Sequence, residues 1–231
     1  MECKVEAIVL ALSLVTVGMC VKTGLESISE NQREVSVKGL AEMEVKANKV
    51  TWPIIVKFVG NDLNEIYTKV NNSNAAVRKF LTQNGIPASD ISVNAPQIQD
   101  KEAEIYGSVN FTYRYSVTNI VTVSSKNVDL VRKLMSRQGE LLTKGVAISG
   151  SNYENPVVYE YTDLNKIKPR MIEEATKNAR EAAVKFAKDS ESELGDIKNA
   201  SQGQFSIDNR DQNTPFIKKV RVVSSISYYL E

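Results

Sequence analysis

The sequence predicts an α+β protein: mainly antiparallel sheet built from repeated strand–helix–strand units, with the helices packed on one face. Three observations carry this. Stretches 34–60, 113–125 and 218–231 alternate Val, Ile and aromatic residues with polar ones, as half-buried strands do. Three longer stretches, after residues 62, 127 and 168, space their apolar residues at helical intervals. The first two helical stretches also echo each other. "AAVRKFLTQNGIPASDISV" and "DLVRKLMSRQGELLTKGVAIS" share V-R-K-[FL]-[LM], a polar break, then a glycine leading into a short strand. Any two amphipathic helices placed before strands would also produce that echo.

The chain opens with "MECKVEAIVLALSLVTVGMCVKTGLESISENQ", where the fifteen residues Ala7 to Val21 carry no charge and are flanked by Lys4 and Lys22. A bilayer core of about 30 Å needs about 20 helical residues, so the run has the length of a signal-peptide h-region. Counting Val5 and the aliphatic stem of Lys22 extends it toward an uncleaved signal anchor. A buried core helix is the alternative, although no polar face interrupts the run. Cys20 raises lipidation, but Met19 is not the small residue expected immediately before a lipidated cysteine. The predicted division is a signal peptide or signal-anchor helix over 1–27, a polar tether over 28–33, and one folded domain over 34–231.

Within that domain, strands are expected at 34–46 and 49–60, joined by the turn at Ala47-Asn48-Lys49, with Pro53 marking a bulge or an edge. Asp62 or Asn61 then caps a helix whose apolar stripe is Leu63, Ile66, Val70, Val77, Phe80 and Leu81, stopping at Asn84-Gly85. "DISVNAPQI" is a strand ended by Pro96, and 97–115 is a projecting loop or loose hairpin. After the strand "YRYSVTNIVTVSS", Asn127 caps a second helix that turns Val128, Val131, Leu134, Met135, Leu141 and Leu142 inward. "GVAISGSNYENPVVYEYTD" reads as a strand pair or one long bent strand. Lys168-Pro169 opens the third helix, a position where the missing proline N–H costs little. Its stripe is Ile172, Ala175, Ala179, Ala182, Ala183, Phe186, Ala187 and Leu194, a narrow small-residue face for close packing. Glu173–Lys177 and Glu181–Lys185 are spaced to pair along it, and Gly195 closes it. A strand, the polar loop "DNRDQNTPFI" and a strong terminal strand complete the chain.

The chemistry open to this chain is narrow. With 29 Lys+Arg against 28 Asp+Glu and no run of one sign, no basic stripe exists to neutralise nucleic-acid phosphates. Histidine is absent, and both cysteines, Cys3 and Cys20, lie in the N-terminal segment. This excludes Ser-His-Asp and Cys-His catalysis, Cys/His zinc sites and a disulfide framework in the remainder. Neither a phosphate-binding nor a dinucleotide-binding glycine motif occurs. "DNRDQN" (208–213) offers carboxylate and amide oxygens but lacks the glycine and terminal glutamate of a calcium loop. No catalytic, cofactor or metal residue is predicted.

Two stretches remain as contact candidates. In "GSVNFTYRY", Tyr106 and Phe111 precede Tyr113, Arg114 and Tyr115. Strand packing explains this alternation, and exposed aromatics in a projecting loop would instead form a partner-binding, adhesive or self-assembly surface. Around 153–163, a strand would put Tyr153, Val157, Tyr159 and Tyr161 on one side and Glu154, Val158 and Glu160 on the other. Tyrosines there suit a sugar or flat ligand, and carboxylates suit hydrolysis. Glu154 and Glu160 would stand roughly 20 Å apart on a straight strand, whereas a glycosidase pair needs about 5–10 Å. Hydrolysis therefore requires a sharp bend at Pro156; without it the strand is a solvated edge.

Order and spacing of three elements resemble the SIMPL domain family (the DUF541 proteins) over roughly 33–231. Val35, Val37, Gly39, Ala41 and Glu42 carry its early V-x-V-x-G-x-[AG]-E strand. Ala175, Ala179, Arg180, Ala183, Ala187, Leu194 and Gly195 carry its A-x-x-x-A-R helix running into L-G, and "VRVVSSISYYLE" matches its terminal strand. Lys46-Ala-Asn departs from the proline-aspartate turn of many relatives. The resemblance implies a bacterial periplasmic or cell-envelope protein, tethered by the N-terminal segment or released after cleavage. It implies the inner membrane and further copies of the chain as partners, an association with oxidative-stress defence, and no enzymatic activity or cofactor. A small-molecule ligand stays unidentified.

Overall fold

The computed structural model describes residues 12–24, 33–104, 111–150 and 153–231. In chain order the elements are α1 (12–24), β1 (Glu34–Lys46), β2 (Lys49–Gly60), α2 (Leu63–Gln83), a 3-10 turn (Ala88–Asp90), β3 (Ile91–Val93), β4 (Gln97–Asp100) and α3 (Lys101–Glu104). Then follow β5 (Tyr115–Ser125), α4 (Val128–Ser136), α5 (Gly139–Leu142), β6 (Ile148–Ser149) and β7 (Val158–Glu160). The last are α6 (Leu164–Asp189), β8 (Leu194–Gln202), β9 (Ser206–Asn209) and β10 (Ile217–Leu230). The content is α+β with antiparallel sheets, as the sequence predicts.

In α1, Leu12, Leu14, Val15, Val17, Met19 and Val21 are all exposed. The Thr16 and Thr23 hydroxyls donate back to the carbonyls of Leu12 and Met19, each at 2.9 Å. Among the described residues no helix is long and apolar enough to cross a membrane. The remainder of the predicted 1–27 segment, and most of the predicted tether, lie outside the described residues.

The chain divides into two compact units, one holding residues up to Met43, Leu164–Asp208 and Lys219–Glu231, the other Glu44–Asp163 and Asn209–Lys218. In the first, the sheet order is β1-β10-β8, with β9 also on β10. Alternation buries Val37, Gly39 and Ala41 of β1 and Val220, Val222, Ile226 and Tyr228 of β10. Helix α6 covers this side with Met171, Ala175, Ala179, Ala183 and Ala187, a strict step of four. Gly39 shows how close the helix lies. A Cβ built there would stand 1.8 Å from the Ala175 carbonyl oxygen and 2.5 Å from the Ala179 nitrogen. The Asn178 side chain fixes the approach by donating to the Leu40 carbonyl at 2.8 Å. On the other face, Glu34 pairs with Lys198, Ser36 meets Ser227 at 2.7 Å, and Glu42 holds Lys219 at 2.7 Å.

Helix α6 departs from its predicted bounds. It starts at Leu164, so Pro169 lies inside it. Pro169 is its sixth residue, so one ladder bond, to the Asn165 carbonyl, is lost about one turn inside the helix start. The helix stops at Asp189 with Glu191 at φ 52, and the Ser192 amide returns to the Ala187 carbonyl at 2.9 Å. Gly195 is therefore no stop; it sits in β8, where a Cβ would meet the Tyr229 carbonyl oxygen at 3.2 Å. Phe186 is 61% exposed, and Met171 takes the buried place expected of a large residue. Along the helix the spaced charges join as Lys177–Glu181 at 3.9 Å.

The second unit has the sheet order β3-β5-β2-β6, with β4 on β5 and β7 on β2. β2 and β5 run antiparallel without a break from Val50↔Ser125 to Gly60↔Tyr115. Pro53 therefore makes no bulge. On the other flank β7 pairs with 49–51 and β6 with 55–56, so Pro53 occupies the interval that lacks a partner strand. Helices α2 and α4 bury equivalent residues of their echoed sequences: Val77 and Val131, then Phe80 and Leu134, each at most 1% exposed. They join Trp52, Ile54, Val121 and Val123 in the core. Asp62 caps α2, accepting from the Asn64 amide at 2.8 Å, and Asn127 caps α4 through Leu130 at 3.1 Å.

β1 and β2 have the predicted bounds but enter different sheets, because the partner of β1 is the distant β10. The single helix expected after Asn127 breaks at Arg137, whose guanidinium reaches Glu140 at 2.7 Å and the Asn84 side chain at 3.0 Å. This leaves Leu142 exposed. Residues 97–100 form strand β4 against 115–118, which are the two arms of the expected hairpin; 105–110 lie outside the described residues. β7 covers only 158–160, too short to align Tyr153 with Tyr159.

Candidate functional site

The predicted contact residues separate. Tyr106 lies outside the described residues. Phe111 is half-buried under the Lys101 ammonium, 5.5 Å from its ring centre. Beside it Arg114 clamps the hairpin base, reaching Asp100 at 2.7 Å and Glu102 at 3.0 Å. Tyr153 is fully exposed in a bend off the strand. Tyr159 and Glu160 sit together on β7. The Tyr159 ring meets Phe216 edge-on at 6.3 Å, and its hydroxyl donates to the Met135 sulfur at 3.7 Å. Burial pushes its phenol above the usual range, with the Arg132 charge opposing. The Glu160 carboxylate is engaged by Lys49 at 2.9 Å.

Next to Tyr159, at the head of α4, lies a cleft of about 340 Å³. Its residues come from three distant stretches: Lys46, Ala47 and Asn48; Lys126 to Asp129 with Arg132; and Phe216. The capped start of α4 sets the position of Arg132, whose guanidinium stacks 3.4 Å from the Phe216 ring centre. Asp129, mostly exposed, reaches Arg132 only at 3.8 Å. Asn48 accepts from the Thr162 amide at 2.8 Å, and the Ala47 amide donates to the Phe216 carbonyl at 2.8 Å. These bonds fix the rim. A second cleft of about 500 Å³ shares Lys126 and Asn127 and is also lined by Lys49, Ser124 and Asp90.

The loop presenting Phe216 is held by Asp211. Its carboxylate accepts from the Thr214 hydroxyl, from the Thr214 and Asn213 amides at 2.7 and 2.8 Å, and from Arg210 at 3.0 Å. The Asp211 carboxylate of "DNRDQN" is thus spent on its own loop. Thr214 first, then Arg210, hold the Asp211 carboxyl at about 2. A folded value below the ordinary 3.9 or so means that Asp211 stabilises the fold above about pH 4. That contribution fades as pH falls from about 4 through about 2. Thermal melts between pH 4.5 and 2 will therefore show a shallower decline for Asp211→Asn than for the wild type; an equal slope would refute the assignment.

Sequence reading missed Lys46, Lys126, Arg132 and Phe216. No local pattern joins positions 46, 126, 132 and 216, and Arg132 belongs to an echo explained by packing. Among the described residues no group of three or more Cys, Asp or Glu is arranged to hold a metal ion.

Fold and cleft together define a class: an α+β protein of two antiparallel-sheet units, one bearing a basic surface cleft. The chain matches the family model SIMPL, described as a protein of unknown function (DUF541), over residues 35–224, and it belongs to that family. A comparison with curated proteins finds no match.

Proposed function

We propose that this SIMPL-family chain is a non-enzymatic, exported cell-envelope protein that self-assembles and contributes to oxidative and envelope stress tolerance. The observation that carries export is the uncharged run from Ala7 to Val21, most of which forms α1 with its apolar residues exposed. In this reading the segment is a signal anchor or a cleaved signal peptide, and the folded part lies in the periplasm. Beyond the N-terminal segment the chain has neither histidine nor cysteine, which supports a role without histidine- or cysteine-based catalysis. Assembly and the stress role rest on the family resemblance. Light scattering on protein beginning near Ser29 tests assembly. Oligomers are expected at micromolar concentration, and a strictly monomeric species would overturn that part. Intact-mass analysis of protein recovered from native membranes reads cleavage and lipidation at Cys20.

A second reading, small-ligand binding in the Tyr153–Asp163 region, is favoured by one observation: half-buried Tyr159 packs against Phe216, which lines the cleft. A carboxylate-based hydrolase there has less support, since Glu160 is engaged by Lys49 and Glu154 lies off the strand.

A further inference from the structure

We propose that the cleft at the head of α4 binds a phosphate-bearing ligand through Arg132, Lys126 and Lys46. This stands on the cleft alone and does not depend on export or assembly. Three cations line the cleft against one carboxylate, Asp129, among the described lining residues. Lys46 and Lys126 have no carboxylate within ion-pairing distance among the described residues. A concave surface lined by one sign of charge concentrates counter-ions, and these like charges are relieved when an anion enters.

Arg132 supplies the geometry. Its guanidinium carbon sits 3.4 Å from the Phe216 ring centre, and Phe216 is held by the Ala47 amide on its carbonyl and by a T-shaped contact with Tyr159. Stacking uses the face of a guanidinium and leaves its N–H edge for a bidentate oxyanion, while each lysine adds a point charge. Three cations suit a dianionic phosphoryl group better than a single carboxylate. One face of Phe216 is covered by Arg132, and its contact with Tyr159 is edge-on. The volume of the cleft, about 340 Å³, lies in the range of small-molecule sites and suits a small phosphate ester.

Calorimetric titration of the full chain tests this at constant ionic strength, with chloride as the reference anion. The probes are inorganic phosphate, glycerol phosphate, and phosphatidylcholine vesicles with and without phosphatidic acid. Saturable binding of either solute identifies a free phosphate or ester, and binding only to phosphatidic-acid vesicles identifies a lipid headgroup. Both support the phosphoryl site, provided that affinity falls at least about fivefold in Lys46→Gln/Lys126→Gln. Those exposed lysines carry charge without packing, so the variant is expected to keep the wild-type melting temperature. Arg132→Gln should weaken binding further. The proposal fails if no probe binds saturably above chloride, or if the double variant binds as tightly as the wild type.

Discussion

Gly39→Val will lower the melting temperature by about 6–12 °C. Overpacking a filled contact costs about 1–3 kcal/mol, and a chain of this size loses about 2–4 °C per kcal/mol. Gly39 belongs at the upper end of that range. The atoms a side chain would strike are the Ala175 carbonyl oxygen at 1.8 Å and the Ala179 nitrogen at 2.5 Å, both backbone. No rotamer change in α6 can clear them, so the helix itself must move off the sheet. That movement opens Ala179 and Ala183, which pack with Val37 and Ile226. Melting followed by circular dichroism decides it. A variant within about 2 °C of the wild type would mean that α6 does not rest on β1 as described.

Phe80→Ala will cost the second unit about 3–5 kcal/mol, through the lost transfer of a buried ring and the cavity left behind. Phe80 is 1% exposed and packed among Val77, Leu134 and the β2–β5 face, with little room for collapse. Phe186→Ala is the informative contrast. The helical spacing of α6 puts Phe186 in the apolar stripe, yet it is 61% exposed, and its removal is expected to cost less than about 0.5 kcal/mol. Denaturant titration of both variants reads the difference directly. Equal losses would return Phe186 to the core.

That contrast marks where the sequence was legible. Alternation and capping are local, so the bounds of β1 and β2, the Asp62 and Asn127 caps, and the small-residue face of α6 could all be read. Which sheet a strand joins is decided by its partner. β1 turns to β10, nearly the whole chain away, and nothing near Ala47 announces the change of sheet. The buried line on α6 steps by four from Met171 to Ala187 and so drifts around a helix of about 3.6 residues per turn, whereas a fixed apolar stripe does not. Phe186 falls between two steps of that line and stays exposed beside buried Ala187. The cleft was the least legible feature. Its cations come from stretches far apart, each unremarkable in its own neighbourhood. The tyrosines that drew attention around residues 153–163 pointed close to it through Tyr159 alone.

β1 and β10 lie side by side with the start of one against the end of the other, since the Arg33 carbonyl accepts from the Leu230 amide at 3.0 Å. The start of β1 and the end of β10 are therefore neighbours. A load applied between an N-terminal attachment and anything joined after Glu231 would fall on the outermost hydrogen bond first. The two strands would then unzip one pair at a time instead of shearing together, so this strand pair is mechanically soft along the line joining Arg33 and Leu230.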